Sequence, residues 1–408
     1  MATPEPLGVW LDGMRVAEFR ARKPWDLRCA YTSEALDRWP GLSPLLSCSL
    51  PLQSRLQDAS VFASGLLPEG QHRQALAADL KVAANDTYSL LRRFGRDVAG
   101  ALVIDTDEPA NREGGVEPYT QSTLETEIEG LPDRPLGIHD DSELSLAGLQ
   151  DKLLLVALEG GGWGRPLHGR ASTHILKLDD RRHPGLIAAE AACLGLARRL
   201  GLTTVEAQLE QIAGVDCLIV SRFDRRVGEN GDVDRIHQED SCQALARDPE
   251  ANRGRGKYES AGGPSLMEIA GLLDRYAADP ASELERLVAV VTFTILIGNA
   301  DAHGKNLSLL HPTAENVEFA PLYDTVPTML WPGLRDDVAM SVNHRWKLAS
   351  LTIEDVANEA ARWRLDASRV REVASATVEE LAAAVDELEA GLPLQALVKS
   401  QIDHFIAI

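Results

Sequence analysis

The hydrophobic period changes once along this 408-residue chain, and that change restricts the fold more than any other feature. Between Lys152 and Arg225 the apolar residues come in short runs, KLLLVALEGGGWGRP, THILKLD and CLIVSRFDR, separated by glycines and polar turns, as neighbouring antiparallel strands require. One helical stretch, AAEAACLGLARRLGL, lies among them, with Gly201 placed as its C-terminal cap. After Asp240 the apolar residues recur three and four apart, in SLMEIAGLLDRY, ELERLVAVVTFTILIGN and ARWRLDASRVREVASATVEELAAAVDELE, which is helical spacing. A single strand-like run, VEFAPLYD, interrupts these helices.

The first hundred residues alternate apolar and polar positions in short runs such as Val9 to Phe19, turn helical around Tyr88 to Phe94, and end on the strand-like AGALVID. From Thr106 to Asp141 the chain is rich in Pro, Gly and acids with little hydrophobic period, the composition of a linker. The expected architecture is α+β in three parts. Residues 1–140 form a mixed α/β N-terminal subdomain with its linker, 141–235 a β-rich lobe, and 236–408 a helical lobe.

Composition narrows the function. A hydrophobic content of 44% supports several cores, and the net charge of −21 opposes unaided binding to nucleic acid, whose backbone is gripped by clustered Lys and Arg. Five scattered cysteines show no zinc-site spacing and read as buried thiols. The N-terminus lacks a basic patch followed by an apolar stretch, and no run of about 18 uncharged apolar residues follows, so a cytoplasmic protein without membrane attachment is expected.

The segment GNADAHGKNLSLL, directly after an apolar helix, concentrates Asp301, His303, Lys305 and Asn306. Asp301 and Asn306 are five residues apart, the separation of the base and the magnesium-binding Asn in protein-kinase catalytic loops. Such a pair also suits an ordinary helix-capping turn, so it decides nothing alone. Asp324, at the end of FAPLYD, offers a second oxygen ligand, although a strand-terminating turn accounts for it equally. Lys177 in the strand HILKL either faces solvent or needs an anion, with Glu190 on the next helix as one partner. SLAGLQDK, from Ser145 to Lys152, can present backbone amides to phosphate, but it lacks the Walker A pattern.

Taken in order, SLAGLQDK, THILKL, EAACLGLARRLGL, VSRFDRR, RIHQEDSCQAL, KYESAGGPSL, LIGNADAHGKNLSLL and FAPLYD resemble the HipA family of bacterial kinase toxins. LLSCSLPL, SGLLPEG and LLRRFGRDVAGAL extend the resemblance over nearly the whole chain. It implies a two-lobed protein-kinase-like fold that transfers the γ-phosphoryl of ATP to a protein serine. Asp301 would be the general base, Asn306 and Asp324 would hold Mg2+, and Lys177 would contact the phosphates. Ala147, Gly148, Leu149, Gln150, Asp151 and Lys152 would cover those phosphates, and Ser221, Arg222 and Phe223 would form the adenine hinge. Gln238, His303, Gly304, Lys305 and Tyr323 would line the pocket, and Ser145 matches an autophosphorylated serine.

The resemblance further implies a helix-turn-helix antitoxin of the HipB kind as partner, DNA reached only through it, and a protein substrate such as an aminoacyl-tRNA synthetase. Ser221 and Asp151 depart from the glutamates common in the family. A small-molecule or lipid kinase, and an ATP-binding corepressor without kinase activity, are the competing expectations.

Overall fold

The short apolar runs of the first half pair as strands, and the three-and-four periods of the second half form helices. The computed structural model describes residues 4–108, 114–131, 151–180, 182–228, 231–388 and 392–407. These fall into two compact units: Met1–Leu178 with Leu209–Glu239 and Leu310–Asn316, and Asp179–Gln208 with Asp240–Leu309 and Val317–Ile408.

The first unit contains two cores. Strands β1 (Leu7–Leu11), β2 (Met14–Lys23), β3 (Asp26–Tyr31), β4 (Gln57–Asp58) and β5 (Val103–Asp105) form a sheet in the order β4-β3-β2-β1-β5. Its apolar residues pack with those of helices α1 (Ser33–Arg38), α2 (Ser60–Gly65), α3 (Gly70–Asp79) and α4 (Thr87–Phe94), around Phe19, Phe62 and Phe94. The α4 terminus is set by Asp86, whose carboxylate accepts from Ser89 N at 2.9 Å.

The second core belongs to a six-stranded sheet ordered β10-β11-β9-β7-β8-β6. Its strands are β6 (Gly115–Pro118), β7 (Lys152–Ala157), β8 (Trp163–Leu167), β9 (His174–Leu178), β10 (Ala207–Ile212) and β11 (Val215–Ser221). Helix α5 (Gln121–Gly130) covers one face, with Leu124, Ile128 and Leu131 buried against Leu153, Leu155, Leu176, Leu178, Cys217 and Ile219. The stretch expected as a linker therefore carries a strand and a core-forming helix. Its polar composition hid them, because α5 buries only two residues of its ten, Leu124 and Ile128.

A buried ionic network also belongs to this unit, beside the ribbon of β12 (Arg225–Val227) and β13 (Val233–Arg235). Arg225 reaches Asp97 at 2.8 Å, Arg222 reaches Asp224 at 2.7 Å, and Asp224 accepts from Gly100 N at 2.7 Å. Burial alone would raise the Asp97 carboxyl, but Arg225, Arg222 and Arg235 outweigh it and hold the group down at about 2. Every charge is thus paired where an unpaired one would be prohibitive.

In the second unit, α6 (Leu186–Arg199) is followed by Gly201 at φ 68, the left-handed residue that ends a helix without a Cβ penalty. After β14 (Gln238–Asp240), where the first unit gives way to the second, come α7 (Ser241–Ala244), α8 (Ala251–Gly254), α9 (Leu266–Tyr276) and α10 (Pro280–Leu296). The last of these starts at Asp279, whose side chain caps Ser282 N, with Pro280 in the first turn. Strands β15 (Ser308–Leu310) and β16 (Glu318–Phe319) follow. So do a hairpin of β17 (Asp337–Val342) with β18 (Arg345–Lys347) that the helical periods did not announce, and helices α11 (Ile353–Ala361), α12 (Ala367–Asp386) and α13 (Pro393–Phe405). Among the described residues no helix is long and apolar enough to cross a membrane.

Candidate active site

Helix α10 is apolar nearly all round and ends at Ile297, delivering the polar loop that follows. Local hydrogen bonds set that loop. Asp301 N donates to Asn299 Oδ1 at 2.9 Å, His303 N to Asp301 O at 2.8 Å, and Asn306 N to His303 O at 2.8 Å. Ala300 N donates to Thr328 Oγ1 at 2.9 Å, and Gly304 N to Lys257 O at 3.1 Å. Tyr323, directly before Asp324, donates its hydroxyl to Lys305 O at 2.6 Å, and that hydroxyl lies 2.6 Å from Ser308 Oγ.

Within this frame Asn306 Nδ2 donates to Asp324 Oδ2 at 2.8 Å, so residues 18 apart in sequence share one spot. Asn306 Oδ1 accepts from His303 N at 3.2 Å and keeps a second lone pair. Asp324 is exposed and takes φ 54, a left-handed backbone that Asp adopts more readily than most non-glycine residues. The Asn306 amide contacts Asp324 through its nitrogen, and its oxygen and the Asp324 carboxylate are both hard-oxygen donors of the kind Mg2+ takes when phosphates complete its shell.

Asp301 is largely buried. Burial pushes its carboxyl up, the Tyr258 hydrogen bond and Lys257 pull it down, Asp324 pushes it up again and Arg335 pulls it down. The net direction is upward from the usual carboxylate range, toward a better proton acceptor. Tyr258 donates to Asp301 Oδ1 at 2.8 Å. That residue stands in KYESAGGPSL, a stretch with no recognisable chemical spacing to Asp301, so residue patterns alone gave no reason to single it out.

The other expected residues fall in several places. His303, Gly304 and Lys305 are buried in the loop, and the Lys305 ammonium is taken by Asp240 at 2.5 Å. In the first unit, Lys177 on β9 pairs in register with Lys152 on β7, so both side chains leave the same face of the sheet, opposite the face that α5 covers. Asp151 lies 3.3 Å from His72 Nε2. Ser221 and Phe223 are half-buried, whereas the Arg222 guanidinium is committed to Asp224, Ser172 and Val98 O, so its side chain serves the ionic network. Gln238 Oε1 is buried and has no hydrogen-bond partner among the described residues. Glu190 is buried on α6 in the second unit. Ser145, Ala147, Gly148, Leu149 and Gln150 lie outside the described residues.

A β-rich unit, a helical unit and a post-helix loop that carries Asp301 and sets Asn306 against Asp324 fit a kinase-like α+β protein, and comparison narrows the class to one family. The family model of the HipA N-terminal domain matches residues 7–105, and that of the HipA-like C-terminal domain matches residues 144–387. The chain is 38% identical to Y4mE of Sinorhizobium fredii over 359 residues, covering 86% of this chain and 83% of that protein. It is 31% identical to the serine/threonine-protein kinase toxin HipA of Shewanella oneidensis over 309 residues, covering 73% and 70% of the two. The solved structure of a Shewanella oneidensis HipA, HipB and operator DNA complex matches with a TM-score of 0.78 and 25% identity, over 98% of this chain and 96% of that one. The chain belongs to the HipA family of serine/threonine-protein kinases.

Proposed function

We propose that this kinase transfers the γ-phosphoryl of Mg2+-bound ATP to a serine or threonine hydroxyl of a cellular protein. The observation that supports it most directly is the 2.8 Å contact between Asn306 and Asp324, in the unit that also holds the Asp301 carboxyl, whose pKa burial pushes up. The acceptor hydroxyl gives its proton to Asp301. Its oxygen then bonds to the γ-phosphorus while the bond from that phosphorus to the β,γ-bridging oxygen breaks, giving the phosphoprotein and ADP. Asn306 and Asp324 would hold the metal, which when bound neutralises phosphate charge. Lys177 and Lys152, on one sheet face, would supply further positive charge for phosphates.

Family membership supports the remaining parts of the reading: an autophosphorylated Ser145, a helix-turn-helix antitoxin of the HipB kind as partner, an aminoacyl-tRNA synthetase as a target and a cytoplasmic location. Asp301→Asn is expected to keep nucleotide affinity within about threefold while lowering transfer of labelled phosphate by about 100-fold or more, the scale of losing a general base. Asn306→Ala is expected to weaken binding of a fluorescent ADP analogue in Mg2+ and to leave metal-free binding unchanged. Full transfer activity in Asp301→Asn would overturn the assignment.

A further inference from the structure

Lys257 and Tyr258 sit in a tight turn that the reaction as described does not use. Gly263 makes it possible: a Cβ there would meet Gly256 O at 2.6 Å and Tyr258 N at 2.8 Å, so any larger residue would push the segment open. Gly263 N donates to Tyr258 O at 2.9 Å, and Lys257 O accepts from Gly304 N, so the turn is fastened to the catalytic loop by backbone as well as by the Tyr258 hydroxyl. The ring itself is held from two further directions. The Arg335 guanidinium lies 4.5 Å from its centroid, and the edge of the His303 ring meets it at 5.4 Å, nearly perpendicular.

The hydroxyl of this fixed ring contacts one carboxylate oxygen of Asp301, Oδ1. Among the described residues, none donates a hydrogen bond to Asp301 Oδ2. We infer that Tyr258 is a positioning residue for phosphoryl transfer, holding Asp301 Oδ1 so that Oδ2 is the oxygen presented to the acceptor hydroxyl. This rests on the reading of Asp301 as the proton acceptor. A carboxylate without that anchor rotates about its Cβ–Cγ bond, and the share of time spent in line with the acceptor falls. Loss of orientation lowers the rate of the chemical step without altering how nucleotide binds.

Tyr258→Phe removes the hydroxyl and keeps the ring between Arg335 and His303, so folding is expected to be preserved. Three proteins are compared: the parent chain, Tyr258→Phe and Asp301→Asn. Labelled phosphate transferred from ATP into the protein fraction of a cell lysate gives kcat and the KM for ATP. Binding of a fluorescent ADP analogue with Mg2+ and the urea midpoint report site and fold. Tyr258→Phe should lose about 10- to 100-fold in kcat, with KM, analogue affinity and urea midpoint all within about twofold of the parent. A kcat within twofold of the parent overturns the inference. So does a fall in kcat matched by equal losses in analogue affinity and midpoint, because that is the mark of a structural role. If the parent transfers no label, or Asp301→Asn transfers it undiminished, the fault lies in the proposed function on which the inference stands.

Discussion

His237 is buried in the first unit with its Nε2 lying 2.8 Å from Leu46 O, which fixes the neutral tautomer that carries its proton on that nitrogen. Its Nδ1 is buried without a hydrogen-bond partner among the described residues, so a second proton would find no acceptor among them. Burial, then the neighbouring His311 ring at 4.8 Å, lower its pKa to about 3, against weaker upward pulls from Leu46 O and Asp224. The unfolded chain therefore binds the proton first as pH falls below about 6.5, and stability present above that pH drains away down to about 3. Between pH 6.5 and 5 the parent chain should lose about 2 kcal/mol through this group, and His237→Gln should lose measurably less in urea titrations at the same two pH values. Asp97, held at about 2, contributes its stability above the ordinary carboxylate range and loses it only as pH falls further, so it does not blur the window. Equal acid sensitivity in both proteins would remove His237 from the account. At this scale, the loop with Asp301 and Asn306 stood out in the sequence as a polar cluster directly after an apolar helix, and folding sets Asn306 against Asp324. Tyr258 and the buried charge Asp97 did not stand out, because their partners Asp301 and Arg225 lie 43 and 128 residues away and only folding brings them close.

Helix α5 marks the limit of reading at the scale of elements. Strong periods such as α10 and the apolar strands β7, β9 and β11 announce themselves, since burial on most sides demands continuous apolar runs. A helix that lies on a sheet with two inward residues and a polar exterior resembles a tether in composition. The difference is energetic and can be measured. Ile128 is 1% exposed against the sheet core, so Ile128→Ala should cost about 2–5 kcal/mol of unfolding free energy. Glu129→Ala, on the exposed side of the same helix, should change it by about 0.5 kcal/mol or less. If urea unfolding finds the two substitutions equally mild, α5 adds nothing to the core and the segment behaves as a connector after all.

For the whole molecule, family resemblance reached both ends of the chain, while the grouping of parts was not legible. The N-terminal sheet and the β-rich sheet fall in one compact unit, where Asp97 from one region pairs with Arg225 from the other, and α6 falls with the helices. Nothing in local period reports such pairings. They also bear on charge. Arg222 and Arg225 are buried with Asp97 and Asp224, two cations against two anions, so this network leaves the net charge of −21 to the rest of the chain. Because affinity for duplex DNA is carried mainly by cations that displace condensed counterions, this chain alone should fail to retard a duplex at micromolar concentration and about 0.15 M salt. With the proposed helix-turn-helix partner of the HipB kind added, the chain should enter a slower-moving complex with the duplex. Retardation by the chain alone, weakening steeply as salt rises, would mean that a cationic surface exists which this charge balance denies.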